Sequence, residues 1–217
     1  MEISSIEFEK SLEKITNNLV YASIHYRLYT NLCNASEEYN IEINQSPVFW
    51  QLTIEAHTTS TILMLCQVYD HHKDSFNLKK LLNTIHSNPS LFKKECFYER
   101  IKDRPLADDL SKTPRILNNK TLKQDIQYVN KETNPLVRKL IDFREKQVAH
   151  IDKNYVLNAE NNSETLVWKE VEELILKGHE IVSTYESLYR ASSWSSNIIG
   201  DEDYKKVLNA VRKADLK

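Results

Sequence analysis

Glycine is nearly missing from this chain: 2 residues in 217, with 5 prolines. Tight hairpins need glycine for their positive φ, so the scarcity argues against an all-β fold. Gly178 and Gly200 stand alone, which excludes a glycine-rich phosphate loop or a dinucleotide fingerprint. Cysteine is also sparse. Cys33, Cys66 and Cys96 have no paired spacing, so they read as reduced thiols of a cytosolic protein and not as a disulfide framework or a zinc site. The longest uninterrupted apolar run is five residues, Ile62 to Cys66, too short to cross a bilayer. The opening MEISSIEFEK has neither the basic stretch nor the apolar stretch of a signal peptide. These absences predict a cytoplasmic protein with no membrane partner.

What remains is enough for one folded domain spanning 1–217. The chain is 41% hydrophobic and 28% charged, with a formal net charge of -2. The charge is unevenly distributed. Residues 71–124 hold 12 Lys+Arg against 6 Asp+Glu, a net of +6, and the remainder carries -8. That middle stretch either faces an anion such as RNA or is a solvated, loop-rich surface. Its candidate RNA contacts are Lys79, Lys80, Lys93, Lys94, Arg100, Lys102 and Arg104.

The hydrophobic period is helical almost throughout, which predicts an all-α helical bundle with an irregular, basic middle segment. Apolar residues from Ile6 to Tyr29 recur at three- to four-residue steps and predict a helix over about 4–33. A polar loop, EEYNIEINQSP, follows it. Pro47 then suits the first turn of a second helix, about 48–70, whose latter half STILMLCQVY is apolar on nearly every side. A shorter helix at 77–86 stops at Asn88-Pro89, and residues 91–103 can add another. Residues 104–120 read as irregular, with a turn at 106–110. A long helix covers about 121–152, kinked or split by Pro135. The C-terminal helices fall within 166–214, with Gly178 inside the first of them at a cost of about 1 kcal/mol relative to Ala.

One residue is out of place in this pattern. At 100° per residue, Val137, Leu140, Ile141, Val148 and Ile151 cluster within roughly 60° of Arg144, which puts an arginine at the centre of an apolar stripe. Arginine does not shed its charge, so a buried one needs an acidic partner or a bound anion. Asp70, at the end of the second helix, and Glu55 are the candidate carboxylates. His150 lies roughly 120° from Arg144, at the edge of the stripe, where a packed core histidine is the commoner reading. His71-His72 read as a surface turn without a third metal ligand. The 11 tyrosines suit packing better than base stacking, and the serines around Trp194 lack the Gly-x-Ser-x-Gly elbow of a nucleophile.

The string Phe143-Arg144-Glu145-Lys146-Gln147-Val148-Ala149-His150-Ile151-Asp152 resembles the Arg-x(4–6)-His motif of the HEPN superfamily, here with five intervening residues. Ala149 to Asp152 is similar to the abortive-infection U-type branch. Trp50, the apolar run, Val68-Tyr69-Asp70 and the segment Asn77 to Leu82 are similar to that branch in order. The resemblance implies a small, often dimeric helical bundle. It also implies one of two roles in phage-defence or toxin–antitoxin systems: a metal-independent endoribonuclease, or a non-catalytic RNA-binding or regulatory interaction module. It makes Arg144 and His150 the catalytic pair, with Glu145, Asp152 and Asp70 in support. The family often has Asn, Asp or His after the arginine, where this chain has Glu145, and some relatives carry Tyr where it has Asp152. The expected partners are RNA, a second copy of the chain, and an antitoxin or regulatory protein; no metal or cofactor is expected. A structural helical adaptor, with Arg144 paired to Asp70 and His150 packed, is the third alternative.

Overall fold

The computed structural model describes residues 5–145, 166–193 and 200–215. Among these residues the regular structure is helical: α1 (Ser5–Glu38), α2 (Asn40–Asn44), α3 (Pro47–Val68), α4 (Leu78–Ser87), α5 (Lys94–Ile101), α6 (Ala107–Lys112), α7 (Asn119–Tyr128), α8 (Pro135–Phe143), α9 (Trp168–Arg190) and α10 (Asp203–Asp215), with a 3₁₀ turn at Pro89–Phe92. The fold is all-α, as the scarcity of glycine and the helical period require. The chain divides into two compact units, Met1–Leu19 with Leu65–Trp194 and Val20–Met64 with Ser195–Lys217.

The first unit holds the larger core. The start of α1 buries Phe8, Leu12, Ile15 and Leu19, and the end of α3 buries Leu65, Cys66, Val68 and Tyr69. Each such side chain removed from water stabilises by about 1.5–3 kcal/mol. Tyr69 is fully packed and still satisfies its hydroxyl, which donates to the Leu174 carbonyl of α9 at 2.7 Å. Gly178 of α9 packs directly on this layer. A Cβ there would lie 2.6 Å from Leu19 Cδ2 and 3.3 Å from the Tyr69 hydroxyl oxygen, so the helix accepts the propensity cost of glycine for close packing. Phe8, Phe92 and Tyr189 form an aromatic cluster with centroids 4.8–6.4 Å apart. A smaller core under α5 and α6 contains Phe97, Ile101 and Ala107.

In the second unit, Leu32, Ala35, Tyr39, Trp50 and Leu208 form the core. The stretch expected as a polar loop contains α2. Its backbone is tied to the preceding helix by Tyr39 N–H donating to Ala35 O and Ile43 N–H to Tyr39 O, both at 2.9 Å. Its buried Glu42 accepts from Arg212 of α10, whose guanidinium also lies 4.6 Å from the centre of the Tyr39 ring. The first helix therefore extends to Glu38, five residues beyond its expected end.

Two other expectations are refined. The irregular segment 104–120 contains α6, entered through Leu106 in the left-handed region (φ 65°), where the chain turns sharply without a glycine. The long helix expected over 121–152 is split at Pro135. α7 ends at Tyr128, Asn134 accepts from Leu136 N–H at 2.9 Å as an N-cap, and Pro135 occupies the first position of α8, where its missing N–H costs nothing.

Candidate functional site

Of the apolar stripe expected around Arg144, Val137, Leu140 and Ile141 of α8 are buried; Val148 and Ile151 lie outside the described residues. Lys139, on another face, reaches Glu170 of α9 at 2.7 Å, while the same carboxylate accepts from the Val167 N–H at 2.9 Å. This charged pair ties α8 to the start of α9. After Phe143 the chain passes into a π-type turn at residues 144–145, a feature often found at functional sites.

Arg144 is not sealed in the core. Its side chain is 30% exposed, and its Nη1 donates to Asp70 Oδ1 at 3.0 Å. The same oxygen accepts from the His71 backbone N–H at 2.8 Å. Burial pushes the Asp70 carboxyl upward. The hydrogen bond from Arg144, the His71 N–H and the guanidinium charge outweigh it and hold the group below its ordinary range. Of the two carboxylates the sequence offers, Asp70 is the partner; Glu55 accepts instead from Gln51 at 2.9 Å. Glu145, 58% exposed, brings Oε1 to 3.6 Å from Arg144 Nη2. The guanidinium thus carries a firm carboxylate on one nitrogen and a looser, solvent-facing one on the other.

Beneath the pair lies Cys66, whose thiol faces the Leu140 carbonyl at 3.9 Å. Burial pushes this thiol up to about 12; the Asp70 charge adds to that and the Arg144 charge opposes it. It is a packing residue and not a nucleophile. His150 and Asp152, the other expected members of the site, lie outside the described residues.

The seven expected RNA contacts do not form one patch. Lys79 and Lys80 line a cleft of about 630 Å³ together with His71 and His72. Lys93 and Lys94 line a second hollow of about 410 Å³, floored by Phe92 and Phe97 and flanked by Arg115. Arg100 serves the fold: its guanidinium lies 3.8 Å from the centre of the Tyr189 ring and donates to the carbonyls of Tyr189 and Leu91 at 2.9 and 2.6 Å. Arg104 closes the end of α9 by donating to Arg190 O at 2.8 Å, and Lys102 pairs with Glu99 at 2.7 Å.

Sequence reasoning undervalued His71. It is half-buried, with Nε2 2.9 Å from the Val129 carbonyl, and its N–H helps to hold Asp70. Its pKa is lowered by burial first, then by Lys79 and Lys131, against the opposing pull of the Val129 carbonyl and Asp70. Adjacency to Asp70 was the available signal. Among the described residues no group of three or more His, Cys, Asp and Glu side chains has the arrangement of a metal site, and no helix is long and apolar enough to cross a membrane.

A HEPN family model described as AbiU2 matches residues 5–209. No curated protein and no solved structure gives a significant match. The family match takes in both compact units and every helix from α1 to α9, including the segment that carries the Asp70–Arg144 pair, and the chain therefore belongs to the HEPN AbiU2 family, as a HEPN-domain protein of the abortive-infection type.

Proposed function

We propose that the chain is a HEPN-type endoribonuclease of a phage-defence or toxin–antitoxin system, cutting RNA without a metal ion through Arg144 and His150 at the interface of a homodimer. The observation that carries this reading is the state of Arg144. A permanently charged guanidinium stands at the head of an apolar stripe, fixed by Asp70, with 30% of its side chain open to solvent. An arginine that only closed a core would be sealed with its carboxylate. The second nitrogen of this one faces solvent beside the exposed Glu145 carboxylate, at 3.6 Å, which an incoming anion can displace.

The chemistry follows from the residue types. The 2′-hydroxyl attacks the adjacent phosphorus as a base takes its proton, and the 5′-oxygen leaves with a proton from an acid. The products are a 2′,3′-cyclic phosphate and a 5′-hydroxyl. Histidine, ordinarily near pKa 6.5, suits either proton transfer at neutral pH, and general acid–base catalysis contributes about 10²–10⁴-fold. Arg144 compensates the charge that builds on the non-bridging oxygens, and Asp70 keeps it aimed. On one straight helix, residues six apart lie about 9 Å apart along the axis and about 120° apart in rotation. Two copies of the segment across a two-fold axis bring an arginine and a histidine together where one copy does not.

Glu145 supports a second reading, a non-catalytic RNA-binding or regulatory module of the same fold. Its carboxylate stands 3.6 Å from the guanidinium, and a phosphate has to displace it.

The test offers the purified protein a mixed RNA pool and maps the ends of any fragments, with light scattering on the same preparation. The proposal expects a dimer at micromolar concentration, 2′,3′-cyclic phosphate ends, and loss of cleavage in Arg144→Ala. A wild-type protein that binds the pool without cutting it puts the binding module in front. A monomer that cuts RNA refutes the shared site.

A further inference from the structure

The polar side of α4 forms the wall of the 630 Å³ cleft. The helix is strongly two-sided. Leu78, Leu81, Leu82 and Ile85 are buried, while Lys80, Asn83, Thr84 and Ser87 run along the cleft at helical spacing. Lys79 and, from the turn before α4, Lys73 bring the cations to three. The Lys79 amine donates to Asn130 Oδ1 at 3.1 Å, and the Lys80 amine lies 5.9 Å from the centre of the Phe76 ring. Among the described residues Glu7 is the one carboxylate on the lining.

Among the described residues none of Lys73, Lys79 and Lys80 forms an ion pair, and all three line this one cleft, whereas Lys120, Lys123 and Lys169, equally unpaired, do not. Three such cations converging on a concave surface leave a positive potential that a bound anion would relieve. The cleft also adjoins the Arg144 site. His71 is on its lining, and the His71 N–H donates to the Asp70 oxygen that holds Arg144.

We propose that this cleft carries the phosphodiester backbone of a single RNA strand toward Arg144, with Lys73, Lys79 and Lys80 as its phosphate contacts and Asn83 as a neutral hydrogen-bonding partner. The inference rests on the reading of the chain as an RNA-acting protein, and it adds a path for the strand.

The experiment measures binding of a non-cleavable 2′-O-methyl oligonucleotide to the full chain by fluorescence anisotropy, from about 50 to about 300 mM salt. Each phosphate neutralised on a single strand contributes about 0.7 to the slope of log affinity against log salt. K73A/K79A/K80A is expected to flatten that slope by about 2 and to weaken binding at least about tenfold at low salt. K120A/K123A/K169A removes three exposed lysines elsewhere in the same unit and is the control; it is expected to leave binding within about twofold of wild type. If the alanine variant unfolds by circular dichroism, glutamine at the same three positions replaces it. Wild-type binding and slope in the cleft variant overturn the proposal. So does an equal loss in the control, or displacement of the oligonucleotide by polyglutamate at matched charge concentration, which reassigns the cleft to an acidic protein. Because the probe cannot be cut, a strand that binds through the cleft while ordinary RNA stays intact sinks the nuclease reading and leaves this one standing.

Discussion

Asp70→Asn removes one charge from the Arg144 pair while keeping the shape and one acceptor oxygen. Exposed ion pairs are worth about 0–1 kcal/mol, and breaking a fully buried one costs about 3–5 kcal/mol. With side chains 30% and 16% exposed, the Arg144–Asp70 pair lies between these limits, and a loss of about 1–2 kcal/mol is expected. For a chain of this length that lowers Tm by about 2–8 °C. The pH dependence has a definite sign. The Asp70 carboxyl is held below its ordinary value of 3.8. Its contribution is therefore complete above that value and is lost as pH falls through the lower, folded value. Urea unfolding should show wild type more stable than D70N at about pH 7, with the gap closing only in acid below the ordinary carboxylate range. A double-mutant cycle with Arg144→Met should return a coupling of about 1 kcal/mol. Coupling within about 0.3 kcal/mol of zero, or a gap that acid leaves unchanged, would refute the claim that this pair holds the arginine in place.

Three further outcomes follow from the same geometry. Gly178→Ala should cost a net of about 1 kcal/mol in thermal or urea unfolding, because overpacking against Leu19 and Tyr69 exceeds the gain in helix propensity; a stabilised variant would mean that the contact relaxes freely. In the native protein a thiol reagent should modify exposed Cys96 first, and buried Cys66, its thiol pushed up to about 12, only on unfolding; rapid native labelling of Cys66 by mass spectrometry would contradict its burial. Glu145→Asn, by taking the solvent-side carboxylate from Arg144, should tighten RNA binding several-fold, as one removed anion lowers the barrier to a phosphate; unchanged affinity would show that Glu145 does not compete.

The features most legible in the sequence were those set by strong local rules. Pro135 announces a break in the long helix expected over 121–152, and the split between α7 and α8 falls just before it. The stripe of Val137, Leu140 and Ile141 placed Arg144, and one of the two candidate carboxylates, Asp70 and Glu55, is its partner. What stayed hidden depends on distant or backbone partners. α2 has no apolar period; its Glu42 is buried through Arg212, 170 positions away. α6 follows a left-handed leucine that no glycine marks. Two crossings between the units, at residues 19/20 and 64/65, fall within α1 and α3, whose periodicity runs on unbroken and marks no boundary; the third, at 194/195, lies outside the described residues. The division of the basic residues was equally invisible. Arg100 and Arg104 satisfy carbonyls of the fold, while Lys79 and Lys80 face a cleft, and composition counts all four alike.

The central claim is that Arg144 and His150 cut RNA with no metal ion. The most direct measurement is cleavage of a mixed RNA pool by wild type and by His150→Ala, side by side, with and without EDTA. Wild type should cut equally well in EDTA, and His150→Ala should lose at least about 10²-fold in rate while unfolding at the wild-type temperature. Cleavage that survives His150→Ala, or that vanishes with EDTA, would contradict the claim.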